Sequence, residues 1–482
     1  MHDFLLLSPH LLLTLGSLVL FCLGAFGRVR RGLYPATLLF TLAAGIMTLV
    51  AYPAAPADGA ALAAFLDTGR LSAYFLPLLC GLGFTALLFL GPYAQRRGLD
   101  RDEELHALFL LALLGALLLA GGRSWLAFFL GLELLSLPLY VLIASRRDDG
   151  AGAEAAVKYF VLGAAASATL LFGIALVYAG SGTLDIAESM SRPDGAGTVL
   201  LGFGMILAGI GFKLSLAPFH LWAPDVYQGA PAPVAAFLAS GVKAAVAAGL
   251  LRVVLFMGPQ FWPAALPVLW ACAAVTMLAA NLAALQQTSL KRMLGYSSAA
   301  HMGYLLMGAL SAAQAGPGPV MYYAAALALM DLGAFGALGL LTGDRMNADG
   351  ETVGPDADDL VSLHGLGAAR PWSAALLAVS LAALAGLPPT AGFTGKLLLL
   401  RAALLGGHGW LAGIGILASA ISVFYYLRAL SALYLKDGVQ PYLPSRPAIS
   451  GGVGIFLVIL ALLVLGLAPA PVMDAAAHLL QP

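Results

Sequence analysis

Gly211-Phe-Lys-Leu-Ser-Leu-Ala-Pro-Phe-His220 lies inside an apolar stretch covering about residues 199–222. Pro218 has no backbone N–H, and its ring clashes with the carbonyl one turn back, so a helix through this stretch breaks there. A second stretch repeats the arrangement. In Gly386-Leu-Pro-Pro-Thr-Ala-Gly-Phe-Thr-Gly-Lys396, Pro388, Pro389 and Gly392 unwind a helix just before a lysine. An ordinary proline kink is the bland reading. A lysine close to both breaks favours a built site, because broken helices present half-helix dipoles and free backbone groups where transporters place ions.

The surroundings of both stretches are membrane-like. Charged residues make up 10% of the 482-residue chain and the hydrophobic class 61%; soluble domains carry about 25% charge. Apolar runs of about 20 residues, each able to span a bilayer, recur from end to end. The alternation of a membrane barrel is absent, so the fold class is an all-α polytopic membrane protein. A net formal charge of zero argues against a nucleic-acid partner and leaves the lipid bilayer as the environment. Cys22, Cys80 and Cys272 lie in apolar segments at spacings that fit no metal motif, and read as small packing residues. The first apolar run has no basic region before it and no A-x-A pattern after it, so it reads as a retained span. No nucleotide-binding loop is found; Gly202 and Gly204 lie within a span and favour close helix packing.

Fourteen spans are expected, at about 8–27, 33–53, 73–91, 104–122, 124–144, 155–180, 199–222, 231–256, 263–286, 293–312, 318–343, 372–405, 408–435 and 449–470. Odd-numbered loops hold Arg28, Arg30, Arg31, Arg96, Arg97, Arg101, Arg146, Arg147, Lys291, Arg292, Lys436 and Arg446, while even-numbered loops hold little beyond Arg70, Arg123 and Arg192. The positive-inside rule puts the odd loops in the cytoplasm and both termini on the periplasmic side of a bacterial inner membrane. Spans four to eight and nine to thirteen each hold five helices with the broken one fourth. The expected divisions are residues 1–103 (spans one to three), 104–262 (first repeat), 263–436 (second repeat, inverted) and 437–482 (span fourteen). The loop Thr342–Pro371, with Asp344, Asp349, Glu351, Asp356, Asp358 and Asp359, reads as a solvated acidic connector.

Six lysines stand against eighteen arginines, and Lys158, Lys213, Lys243 and Lys396 fall in apolar spans. A buried lysine can release its proton; an arginine cannot. Glu133 lies in span five, His220 just after the first break, His301 in span ten and Asp331 in span eleven. A charge at a helix centre costs roughly 2.5–3.5 kcal/mol. Glu133 and the four lysines together would cost about 12–18 kcal/mol, against net stabilities of about 5–15 kcal/mol. Static ion pairing is the structural alternative, but one strong acid does not serve four lysines. Single members have bland readings too: Lys158 can snorkel to the headgroups, Asp331 can sit as a neutral hydrogen-bonded acid, and His301 can be a satisfied core histidine. A carboxylate about 4 Å from an amine, at an effective dielectric near 20, contributes about 4 kcal/mol, enough to decide whether the amine keeps its proton. Moving Glu133 toward or away from Lys213 or Lys158 would load or release one, with Lys243, His301 and Lys396 passing it on.

The stretch Phe212-Lys-Leu-Ser-Leu-Ala-Pro-Phe-His-Leu-Trp-Ala-Pro-Asp-Val-Tyr-Gln-Gly-Ala-Pro231 resembles the subunit N family of proton-pumping NADH:quinone oxidoreductase, respiratory complex I. Glu133 in Gly-Leu-Glu-Leu-Leu-Ser, the stretch Lys291–Tyr304 and the second break add to the resemblance, which covers essentially the whole chain. Related antiporter-like proteins, subunits L and M and the Mrp-type sodium/proton antiporters, share the lysine, Pro-Phe-His and the tryptophan. Asp225-Val-Tyr227 with Gly229-Ala-Pro231 looks like subunit N; Lys396 stands where subunit M has a glutamate; and no long lateral helix is expected after span fourteen, unlike subunit L. The resemblance implies a proton-translocating membrane-arm subunit working beside related antiporter-like subunits. It implies no cofactor in this chain, with FMN, iron–sulfur clusters and quinone in partner subunits. It assigns central roles to Glu133, Lys213, Lys243 and Lys396 and supporting ones to Lys158 and His220; Asp331 departs from its pattern. An Mrp-type antiporter subunit is the alternative function, and a scaffold that only holds the assembly together is a third.

Overall fold

Helices that are apolar on every face must be covered on every face, and this packing requirement organises the molecule. A computed structural model describes residues 2–25, 32–52, 65–97, 99, 103–146, 149–191, 196–341, 356, 358–436 and 448–477. Among them the regular structure is helical, with only isolated bridges between loops. The first helices are α1 (His2–Ala25), α2 (Leu33–Ala51), α3 (Arg70–Arg96), α4 (Glu103–Gly121), α5 (Trp125–Ile143), α6 (Gly150–Ser181) and the short α7 (Ile186–Ser191). Then follow α8 (Ala196–Lys213), α9 (Ala223–Gly229), α10 (Ala232–Phe237), a π-helical turn Leu238–Val242, α11 (Lys243–Phe256), α12 (Trp262–Leu285), α13 (Leu290–Leu310) and α14 (Ala312–Ala315). The last are α15 (Gly318–Leu341), α16 (Leu366–Ala369), α17 (Pro371–Ala385), α18 (Ala391–Leu405), α19 (Gly409–Tyr434), α20 (Ile449–Leu467) and α21 (Ala470–Ala477).

Eleven of these segments are long and apolar enough to cross a membrane by length and composition, counting Ala232–Phe256 as one. Expected span seven is α8 with the break after it, the short α9 following just beyond its expected end; expected span twelve is the half-helices α17 and α18; and expected span ten is α13, which carries Lys291, Arg292 and His301. Fourteen crossings require these three to be added.

Two segments form the centre. Residues 231–254 are all buried, and so is every residue of α15 except Leu329. Helix α15 touches α3, α10, α13, α17, α18 and α20. The outer helices α1, α2, α6, α19 and α20 present Leu39, Phe160, Phe424 and Phe456 outward, toward lipid or neighbours. Glycines set the closest approaches. A Cβ at Gly202 of α8 would meet the Gly173 carbonyl of α6, and that pair packs along its length.

Five readings of the sequence need correction here. Pro218 was expected to mark the break, but α8 already ends at Lys213, because the proline ring denies helical geometry to the turn before it and Ser215 takes a left-handed φ of 57°. Gly392 was expected to unwind span twelve, but it is helical in α18; it is small because a Cβ there would overlap the Ala383 carbonyl of α17. Asp356 is no solvated connector: it is buried and accepts hydrogen bonds from Tyr93 (2.8 Å), Lys291 (3.1 Å), the Ala232 N–H (3.1 Å), Arg97 (3.3 Å) and Arg146 (3.5 Å). Burial alone would push its carboxyl up, but Lys291, Arg146 and Arg97 hold it at about 2. Lys291, assigned to a loop, is accordingly buried, and Cys22 lies exposed on the outer face of α1. The expectations for Arg28, Arg30, Arg31, Arg101, Arg147, Arg192, Arg446, Asp344, Asp349 and Glu351 lie outside the described residues.

Candidate functional site

The first centre forms where α8 stops. Lys213 is its last residue, buried, and its Nζ donates to Ser136 Oγ of α5 at 2.7 Å and lies 3.4 Å from the Tyr159 hydroxyl of α6. The ammonium also stands 4.8 Å from the Tyr159 ring centroid, a cation–π distance. Two bonds fix the chain through the break: Trp222 Nε1–H reaches back to the Phe212 carbonyl at 2.9 Å, and the Ala217 N–H donates to Thr276 Oγ1 of α12 at 2.8 Å. Glu133 lies one turn before Ser136 on the same helix, partly buried, and its carboxylate accepts from the Ser167 hydroxyl. Among the described residues no ion pair joins Glu133 to Lys213; each rests on a serine instead. His220 is half-buried within the break.

Lys158 is not in the interior. Its side chain is 43% exposed, and it pairs with Glu154 (2.7 Å) and Asp225 (2.8 Å), so it belongs to the rim. Asp225 also pairs with Arg292 at 2.5 Å. With Arg146, Asp149 and Asp356 these groups line a polar vestibule of about 360 Å³ beside Arg292 near the start of α13.

The second centre lies at the start of α11. A π-helical turn stands directly before Lys243. Lys243 is buried, and its Nζ donates to Ser298 Oγ of α13 at 2.7 Å. Ser298 in turn donates to Asp331 Oδ2 of α15 at 2.8 Å, and Asp331 is fully buried. The Tyr227 ring centroid is 5.5 Å from Lys243 Nζ. Stacked rings run from there through Trp222 to Tyr159, so an aromatic wall joins the Lys243 and Lys213 centres.

The third centre spans the other break. Gly386 ends α17 with φ 82°, and Lys396, on the next half-helix, reaches back across the gap. Its Nζ donates to the Leu384 (2.9 Å) and Ala385 (3.2 Å) carbonyls and to Ser419 Oγ (3.2 Å). It thereby supplies a cation to the negative end of the α17 dipole. His301 is buried between the second and third centres, with Nδ1 2.5 Å from the Tyr323 hydroxyl and Nε2 3.1 Å from the Tyr426 hydroxyl.

The structure thus buries Lys213, Lys243, His301, Asp331 and Lys396, joins Lys243 to Asp331 through Ser298, and leaves Lys158 at the edge. Sequence reasoning missed the serines that hold the amines, Ser136, Ser298 and Ser419, because serine is common in membrane helices. It also missed Arg252, a buried arginine bound to Asp67 (2.8 Å) and the Ala120 carbonyl (3.0 Å). An arginine in the apolar run of span eight was the available signal. No group of three or more His, Cys, Asp and Glu placed to hold a metal is found among the described residues.

Residues 122–422 match the family described as NADH:quinone oxidoreductase/Mrp antiporter, TM. A curated relative from Solidesulfovibrio magneticus, NADH-quinone oxidoreductase subunit N 1, is 45% identical over 98% of this chain and 97% of its own length. NADH-quinone oxidoreductase subunit N of Geobacter metallireducens is 40% identical over 98% of each. A chain in the structure of respiratory complex I from Thermus thermophilus with bound aureothin is 34% identical and superposes with a TM-score of 0.82, covering 97% of this chain and 99% of that one.

Proposed function

Because this chain belongs to the NADH-quinone oxidoreductase subunit N family, we propose that its buried amines carry protons across the membrane arm of that complex. It is an antiporter-like membrane subunit of a translocase, and neighbouring membrane-arm subunits are its partners. Glu133, Lys213, Lys243 and Lys396 are the carriers in this reading, with His301 between the last two and His220 and Lys158 at the entrance. One observation supports it most: Lys213, Lys243 and Lys396 are all buried, and each bonds to neutral oxygens instead of a carboxylate. A hydroxyl donates as readily as it accepts, so it serves a lysine in either charge state. A permanent counter-ion would hold the proton in place.

In this reading the two breaks belong to inverted repeats over 104–262 and 263–436, and the fourteen crossings include α8–α9, α13 and α17–α18. The odd loops face the cytoplasm and the termini the periplasm of a bacterial inner membrane. FMN, iron–sulfur clusters and quinone belong to partner subunits. The Mrp-type alternative is weaker, since the relatives matching nearly the full chain are named subunit N.

The test is NADH-driven proton pumping in inverted membrane vesicles carrying Lys213→Ala, Lys243→Ala or Lys396→Ala, normalised to assembled complex. Pumping should fall by about 10²-fold or more, the usual cost of losing a positioned proton carrier. Wild-type pumping from an assembled Lys213→Ala complex would leave only the scaffold role.

A further inference from the structure

We propose that Lys243 passes its proton to Asp331 through the Ser298 hydroxyl, making Asp331 a second acidic partner in the relay, which rests on the reading of the buried lysines as carriers. The geometry is a three-atom bridge. Lys243 Nζ donates to Ser298 Oγ at 2.7 Å, and Ser298 Oγ donates to Asp331 Oδ2 at 2.8 Å. One hydroxyl has one hydrogen and two lone pairs, so both bonds are made with that hydrogen pointed at the carboxylate.

The transfer needs no movement of heavy atoms. An Nζ–H bond breaks as an Oγ–H bond forms, while the original Oγ–H bond breaks as an Oδ2–H bond forms. Ammonium and carboxylate become amine and carboxylic acid, and charge and atoms balance. Afterwards the acid donates to Ser298 and Ser298 donates to the amine, along the same two contacts.

Three observations set Asp331 apart from a structural acid. It is fully buried on α15, at the centre of the molecule. Among the described residues no salt bridge joins it to a cation, and no protein group bonds its Oδ1. Most buried side-chain polar atoms have a hydrogen-bond partner. A half-satisfied carboxylate beside a buried amine fits a group that changes its protonation. Lys213 has a comparable arrangement, with Ser136 under the amine and Glu133 one turn away on the same helix. The bridge therefore gives the central lysine an acid–amine pair of its own, with the serine between the two charges instead of beside one of them.

Asp331→Asn, Ser298→Ala, Ser298→Thr and Lys213→Ala complexes are compared for NADH-driven proton pumping per assembled complex. Infrared difference spectra between resting and turning-over enzyme are recorded on the same samples. Asp331→Asn and Ser298→Ala should each lower pumping about tenfold or more, while Ser298→Thr, which keeps the hydroxyl, retains most of it. A carboxylic-acid band appearing in turnover should vanish in Asp331→Asn. Should Asp331→Asn fail to assemble, Ser298→Ala decides alone, since it removes a single oxygen. If Lys213→Ala stops pumping while Ser298→Ala pumps at the wild-type rate, the Asp331 transfer is wrong and the relay stands. If Lys213→Ala also pumps normally, the relay itself is wrong and the transfer goes with it.

Discussion

A buried lysine held by a serine loses less when it gives up its proton than one held by a carboxylate, because no bare charge stays behind in a low-dielectric interior. Lys213 on Ser136 and Lys243 on Ser298 both follow this rule. Ser136→Ala should therefore impair Lys213 while leaving its charge in place: the lost partner costs about 1–3 kcal/mol, and pumping per assembled complex should drop with it. Wild-type pumping by Ser136→Ala would show that the hydroxyl is incidental. Asp356 follows the opposite rule, as a permanent charge among Lys291, Arg97 and Arg146. Its folded carboxyl is held at about 2, below the ordinary value. It therefore contributes stability above about pH 4, about 2.5 kcal/mol, and loses it as pH falls through about 2. Asp356→Asn removes the carboxylate shared by Lys291, Arg97 and Arg146 and should cost about 3–5 kcal/mol. Melting of the purified complex should show a gap between wild type and Asp356→Asn at pH 7 that narrows only below about pH 4. Equal melting at pH 7 would mean the cluster stabilises nothing. The lysines were legible in the sequence because a lysine in an apolar run is costly wherever it points. Asp356 was not, because its partners are Tyr93, Arg97, Arg146, Ala232 and Lys291, all distant in the chain and brought together only by folding.

Prolines make both breaks readable at the level of the element, but where the half-helices end depends on packing. The loop after Lys213 is held by Trp222 and Thr276, and neither contact follows from local sequence. The π-helical turn before Lys243 contains no proline to announce it. Helix spans were otherwise visible as apolar runs, since a bilayer-spanning stretch needs about 20 residues and little else of that length is so apolar. Gly392 illustrates the limit: it was expected to unwind the helix, when it is a contact between α17 and α18. Gly392→Ala should force the half-helices apart at the Ala383 carbonyl, at an overpacking cost of about 1–3 kcal/mol. Quantifying assembled complex in membranes checks this; full assembly with wild-type pumping would mean that the two half-helices separate freely there. Gly386 at φ 82° is the companion constraint, since a side chain at that position strains the backbone and crowds Lys396.

Across the whole molecule, charges from loops far apart in sequence gather into separate clusters. Arg97, Arg146, Lys291 and Asp356, from odd-numbered loops and the start of α13, meet in one cluster. Asp67 with Arg252 and Arg123 with Asp185, from the even-numbered loops and the end of α11, meet in others, and Leu66 and Ser124 bridge to Gly122 and Asp185 there. In these clusters odd loops meet odd loops and even loops meet even ones; with crossings that alternate, the positive-inside rule predicts that the cation-rich odd loops are cytoplasmic. Gly150, exposed with open space around its Cα, marks the odd face, and Glu188, exposed on α7, marks the even one. In a background with Cys22→Ser, to remove the exposed native thiol, Gly150→Cys should react with a membrane-impermeant maleimide in inverted vesicles and not in right-side-out ones. Glu188→Cys should do the reverse, and both should react once detergent opens the membrane. Labelling of the two positions from the opposite sides would invert the orientation and put the polar vestibule beside Lys158 on the periplasmic face. Labelling of both from one side would break the alternation itself, and with it the inverted pairing of the two broken helices, because a repeat turned over in the membrane requires an odd number of crossings between equivalent points.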